Sequence, residues 1–303
     1  MNPLPLSRRR FAQLAAGTTL AALAGSTRAD APTARWPIIG FSKPFQTLAP
    51  DQSADTVAEI GWDGIECPVR AKGQVLPERV EEDLPKLVEA LHKRGKSIAL
   101  ITTDVLNPAQ PHTQKVLRTA AKLGIKRYRM AYWKYAKDQP IPPQLDRIRG
   151  ELRDLAALNQ ELGLQAGYQN HSGADYVGAP IWDLWHLLRE LNPKHTGICF
   201  DIGHATLEGG YSWPTEARLA EPHLTAVFVK DFRWTKGDKG WKAEWCPLGE
   251  GMVNRSFFAW LKQTKFQGPI SQHHEYDHGS GKPMIAKMQH DLRVLREWLA
   301  AGS

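Results

Sequence analysis

Hydrophobic residues along the chain fall into short continuous runs, separated by stretches in which they recur every third or fourth position. The runs are WPIIGF (36–41), GIEC (64–67), SIALIT (97–102), KRYRM (126–130), LQAGYQ (164–169), TGICFD (196–201), TAVFVK (225–230) and PISQHHE (269–275). Their length and content suit buried strands. The stretches between them are amphipathic. In QLDRIRGELRDLAALNQELG, Leu145, Ile148, Leu152, Leu155 and Leu158 line one helical face, with charge opposite. PERVEEDLPKLVEALHKRG and PMIAKMQHDLRVLREWLA read the same way. Gly95, Gly124 and Gly163 stand where such helices should stop, as residues tolerating positive φ do.

Eight alternations of strand and helix imply parallel strands joined by crossover helices. The pattern predicts an α/β fold, a single closed (β/α)8 TIM barrel over residues 32–303. A doubly wound sheet would want a glycine-rich phosphate turn after the first strand, and GFSKPFQTL is not one.

The first 31 residues read differently. Arg8, Arg9 and Arg10 precede an apolar stretch from Phe11 to Leu23, and Ala29-Asp30-Ala31 closes it. That is the anatomy of a cleavable export signal, with cleavage after Ala31, and SRRRF resembles the bacterial twin-arginine type. The expected location is the periplasm or another exported site, and the expected export partner is the twin-arginine machinery. Nothing after the signal is long and apolar enough to span a membrane. The signal carries four arginines and one aspartate, so the whole-chain charge of +7 becomes +4 for the rest. Without a dense Lys/Arg cluster, nucleic acid is not an expected partner. Three cysteines, Cys67, Cys199 and Cys246, are an odd number for a disulfide framework and read as buried thiols.

In a barrel, function gathers where the strands end. Taking the inward parity from the polar strand-end residues, strand two presents Glu66, and strand five Gln169 with His171 beyond it. Strand six presents Asp201 with His204 nearby, strand seven Phe228 and Lys230, and the last strand Ser271, His273 and Glu275. An ionised carboxylate such as Asp201, ending a buried strand, is costly unless something pairs with it.

YQNH, FDIGHA, VFVKDF, PLGEG and HHEY, in this order on these strands, resemble the xylose-isomerase-like TIM barrels, a group related to the apurinic-site endonucleases (AP endonuclease family 2). The resemblance implies a sugar isomerase or epimerase, in which a divalent metal polarises a carbonyl and hydroxyl pair while carboxylates move a proton between neighbouring carbons. It places Asp201 on the metal carboxylate of strand six, His204 on a substrate-contacting histidine, and Glu66 on an acid at the end of strand two. Three positions depart from it. Gln169 stands for a glutamate, Phe228 for a metal-binding histidine, and His273 for the last strand's glutamate. The implied ligand set is therefore Gln169, Asp201 and His273, poor in hard oxygen anions, which shifts preference from magnesium or manganese toward zinc or another later transition metal; the expected cofactor is a divalent ion, zinc or manganese.

The expected chemistry is proton abstraction beside a carbonyl, with Glu66 and Glu275 as the acid/base pair. Lys230 is either a base, a donor to a developing enolate oxygen, or a structural ion-pair partner of Asp201 or Glu275. A lyase using the same abstraction is a close variant. Trp133 and Trp234, with His171 and His204, are the expected contacts to a sugar ring, because indole suits an apolar C–H face. WTKGDKGWKAEW (234–245) reads as a long polar excursion lining the substrate. The turn around Gly249 and Gly251 could cradle a phosphate, but a neutral sugar or keto-sugar fits an exported protein better. Two other readings compete: a metal-depleted barrel that only binds carbohydrate, and, less favoured, a zinc endonuclease.

Overall fold

A computed structural model describes residues 36–301, and the predicted signal, residues 1–31, lies outside them. Eight parallel strands close into a barrel: β1 (Ile38–Phe41), β2 (Gly64–Val69), β3 (Ser97–Thr103), β4 (Arg127–Arg129), β5 (Gln165–Gln169), β6 (Thr196–Asp201), β7 (Leu224–Val229) and β10 (Ile270–Gln272). Each lies beside its sequence neighbours, and β10 pairs with both β7 and β1 to complete the ring. All eight sequence-predicted strands are present, though β4 and β10 keep only three residues each.

Helices α1 (Pro50–Ile60), α2 (Val80–His92), α3 (Thr113–Lys122), α4 (Ile141–Leu162), α5 (Ile181–Leu188), α6 (Ile202–Gly209), α7 (Trp213–Ala220), α8 (Ser256–Leu261) and α9 (Gly281–Ala300) surround the strands. In α4 the five periodic leucine and isoleucine residues are all buried, and Gly163 ends the helix in the left-handed conformation at φ 64°. Each such buried side chain contributes about 1.5–3 kcal/mol of transfer free energy.

Strand parity separates two cores. Ile65, Cys67, Tyr128, Ile198 and Phe200 face the helices, whereas Ile39, Leu100, Cys199, Ala226 and Phe228 pack together inside the barrel. Above this inner plug the inward positions turn polar. Gly40 is required by a close approach: a Cβ there would lie 2.2 Å from the Trp62 ring, whose Nε1 donates to Gln272 Oε1 at 2.9 Å.

One segment differs from the expectation of an irregular excursion. Residues 231–246 form an antiparallel hairpin, β8 (Asp231–Gly237) and β9 (Gly240–Cys246), with Gly237 paired to Gly240 across a two-residue turn. Gly240 has φ 100°, which an L side chain would resist. The register puts Phe232 opposite Trp245, and Lys236 opposite Trp241, on one face.

Candidate active site at the barrel mouth

The polar layer begins with Glu66, which is fully buried. Its carboxylate accepts from the Thr102 hydroxyl, from Ser271 Oγ at 2.7 Å and from His273 Nε2 at 2.8 Å. Arg129 Nε stands 3.7 Å away. Burial works to raise the Glu66 pKa, but His273, then Arg129 and Thr102, hold it below the ordinary carboxylate value. Each Glu66 oxygen is thus engaged by protein groups from other strands.

Arg129 joins this layer to the next. Its Nη1 donates to Gln169 Oε1 at 2.8 Å and contacts the Tyr132 hydroxyl, which also donates to Gln169. Burial pushes the Tyr132 phenol up, so it stays an O–H donor. Gln169 Nε2 in turn donates to Asp201 Oδ2 at 2.7 Å. The other Asp201 oxygen accepts the His204 backbone N–H at 3.0 Å, capping the N-terminus of α6.

Beyond Asp201 comes Lys230, the residue after β7, whose side chain is 2% exposed. Its Nζ lies 2.8 Å from Glu275 Oε1, 3.3 Å from Asp201 Oδ2 and 2.7 Å from His204 Nε2, and 4.4 Å from the centre of the Trp245 ring. Of its two expected carboxylate partners, Lys230 has both. Burial and then Lys230 keep His204 neutral, well below its ordinary pKa. His171 packs on it at 4.1 Å between ring centres and is lowered by the same two causes. Glu275 is the carboxylate that reaches solvent, its side chain 35% exposed. Burial is the largest single influence and would raise its pKa, but the Lys230 charge, the Lys230 hydrogen bond and His273 together bring it down to about 2.

The remaining expected contacts separate. Trp133 is a framework residue: it is buried, stacks on Tyr168 and donates from Nε1 to Glu151 at 3.0 Å. Trp234 stands on the hairpin, 46% exposed, edge-on to Phe232. The indole that meets the site is Trp245, edge-on to His204 at 5.2 Å and above Lys230.

The glycine-rich turn does not offer a phosphate cradle, because a carboxylate of the chain already fills it. Asp231 accepts from the backbone N–H of Gly249 (3.0 Å), Gly251 (3.0 Å) and Val253 (2.9 Å), as well as from Phe232 (2.9 Å). A Cβ on Gly251 would lie 2.3 Å from Asp231 Oδ1, so glycine is needed for that approach.

The expected metal ligands are not assembled as a set. Gln169 and Asp201 are hydrogen-bonded to each other, while His273 turns to Glu66 and packs between Phe41 and Phe228. The described residues include no group of three or more His, Cys, Asp or Glu side chains arranged to hold a metal ion. The donor chemistry is also wrong for a divalent cation, because an amide and a carboxylate tied to Arg129 and Lys230 leave it beside positive charge. The residues present do not fit a metal.

Arg129 and Tyr132 belong to the site but were not among the expected residues, and Trp245 was expected only as part of the 234–245 stretch. The three-residue β4 left no readable parity to mark Arg129, whereas alternation along the hairpin was the signal for Trp245.

Several solved structures share this fold. An Escherichia coli 3-keto-D-glucoside 4-epimerase is 16% identical, with 87% of this chain and 100% of that one covered and a TM-score of 0.66. A D-psicose 3-epimerase from Clostridium cellulolyticum H10 with D-tagatose is 14% identical over 88% and 99%, TM-score 0.65. A Mycobacterium smegmatis xylose isomerase-like TIM barrel protein in complex with magnesium is 16% identical over 88% and 98%, TM-score 0.65. No curated protein matches the chain in sequence. Residues 54–298 match the model of the xylose isomerase-like TIM barrel, and the chain belongs to that family.

Proposed function

We propose that this protein is an exported sugar isomerase or epimerase that moves a proton on the carbon next to a carbonyl of a neutral sugar or keto-sugar. The observation that carries the reading is the pairing of Lys230 with Glu275 at the mouth, 2.8 Å apart. An ammonium and a solvent-reaching carboxylate side by side are the two groups that enolisation requires.

The chemistry follows from their charges. Glu275 takes the proton from carbon, and the C–H electron pair moves into the carbonyl, leaving an enolate oxygen. Lys230, its Nζ already donating to Glu275 at the mouth, is placed to donate to that oxygen. Drawing Lys230 toward the substrate oxygen also loosens its hold on Glu275, which raises the basicity of that carboxylate from its resting value. Return of the proton to the neighbouring carbon completes an isomerisation. Return to the opposite face of the same carbon gives an epimer, with His171, the half-buried imidazole at the rim, nearest to that role. Loss of a leaving group from the enolate is the lyase variant.

Glu66, enclosed by Thr102, Ser271 and His273, is assigned to holding Arg129 and the last strand in place, not to the proton transfer. Trp245 is the sugar platform. A neutral substrate agrees with the turn whose N–H groups Asp231 occupies. Export to the periplasm through the twin-arginine machinery rests on residues 1–31, with SRRRF and the apolar stretch after it.

A panel of ketoses, including D-tagatose and D-psicose, and of 3-keto-D-glucosides tests the activity by proton NMR. Catalytic appearance of a new isomer or epimer is expected for one class. Saturable binding of a sugar with no product over days would instead favour a carbohydrate carrier.

A further inference from the structure

Three acceptors from different elements converge on one point in the mouth. Asp201 Oδ2, Glu275 Oε1 and His204 Nε2 lie 3.3, 2.8 and 2.7 Å from a single atom, Lys230 Nζ. Two carboxylates and an imidazole are the donor types that hold zinc or manganese, although spread around the ammonium at these distances they are not arranged to hold an ion while Lys230 is in place. Here an ammonium with three N–H donors occupies their focus. The fold makes room for it: a Cβ on Gly203 would lie 2.9 Å from Lys230 Cγ and 2.8 Å from its carbonyl oxygen. Trp245 covers the charge from the other side at 4.4 Å.

We infer that the Lys230 ammonium is a built-in substitute for a divalent cation, so that the site works without a metal and rejects one. A fixed positive charge at this point stabilises oxyanion development as a Lewis acid would, while its charge repels a second cation. Arg129, hydrogen-bonded to Gln169, supplies a second permanent cation below it. The electrophilic role of Lys230 rests on the proposed isomerase or epimerase chemistry, whereas the metal-exclusion arm is read without any substrate.

The test is metal retention after equilibration of the full folded protein with Mn²⁺ or Zn²⁺ and desalting. The wild type should retain well under about 0.1 ion per chain. Lys230→Ala, which vacates the focus, should gain about one ion per chain. The double variant Lys230→Ala/Asp201→Asn should lose it again. Lys230→Ser serves as a second variant should the alanine protein fail to fold. A wild type that holds one ion and loses it on Asp201→Asn would overturn the inference. So would Lys230 variants that fold yet retain no more metal than the wild type, because the three acceptors would then not be a metal seat. With a turned-over sugar in hand, wild-type turnover should be unchanged by chelator, and loss of turnover restored by Mn²⁺ would overturn it as well.

Discussion

Lys230 Nζ sits 2.8 Å from Glu275 Oε1, joining the end of β7 to the segment after β10 across the mouth of the barrel. The carboxylate reaches solvent and the lysine does not. Substrate therefore meets Glu275 first and the ammonium behind it. Glu275→Gln keeps an acceptor for Lys230 but removes the base. Turnover should fall by about 10²–10⁴-fold with the circular dichroism spectrum unchanged. Near-normal turnover in a folded Glu275→Gln protein would remove this residue from the chemistry.

Glu66 carries structural weight through three strands. Glu66→Ala leaves the Thr102 and Ser271 hydroxyls, His273 and Arg129 without their shared acceptor. It should lower unfolding free energy by about 3–5 kcal/mol, measured in urea. Glu66→Gln, which keeps an acceptor oxygen, should lose less and retain turnover within about tenfold. Abolished turnover in a stable Glu66→Gln protein would return Glu66 to the catalytic pair.

Two tryptophans separate binding from packing. Trp245→Ala uncovers Lys230 and His204, and should raise KM for the sugar by about tenfold, the worth of about 1.4 kcal/mol of stacking. Trp133→Phe should leave KM unchanged and cost stability, because its hydrogen bond to Glu151 and part of its stacking on Tyr168 are lost. The reverse outcome would restore Trp133 as the sugar contact.

The barrel and most of its polar mouth were legible in the chain because period-two alternation and strand length together determine which residues face inward. Glu66, Gln169, Asp201 and Lys230 follow from that rule once the polar strand-end residue is taken to set the inward parity. Arg129 does not, since a three-residue strand is too short for its parity to be read and an arginine there resembles surface. The hairpin escaped because its residues are mostly exposed, and its pattern carries aromatics instead of a buried apolar face. The role of the glycine-rich turn depends on Asp231, 18 and 20 residues away from Gly249 and Gly251, a partnership no local pattern encodes.

Asp231 also anchors the base of that hairpin. Asp231→Ala leaves four backbone N–H groups without their acceptor, and should destabilise the protein by about 2–4 kcal/mol. Limited proteolysis should then cut within 231–253 faster than in the wild type. An unchanged cleavage rate would contradict the anchoring role.

Stability should depend on pH through Glu216, buried in α7. Burial, aided by Glu208, raises its pKa from 4.5 to about 7. The folded state therefore binds more protons than the unfolded state between about pH 4.5 and 7. The stability this contributes is fully present below pH 4.5 and is lost as the pH rises through 7. Asp183 and Asp291, each raised to about 6 by burial, act in the same direction. Burial holds His171, His204, His223 and His274 below their ordinary value and acts the other way, so Glu216 is read by comparison: Glu216→Gln should lower the urea midpoint at pH 5.5 relative to that at pH 8. A Glu216→Gln protein with the full wild-type difference would assign it to other groups.

The central claim is enolisation by Glu275 with Lys230 as electrophile, and solvent isotope exchange measures it directly. In heavy water, the wild type should wash deuterium into the carbon next to the carbonyl of a sugar that it turns over. Glu275→Gln and Lys230→Met should each slow that exchange by at least about a hundredfold. Turnover in heavy water without deuterium at that carbon, or exchange untouched in both folded variants, would contradict the account.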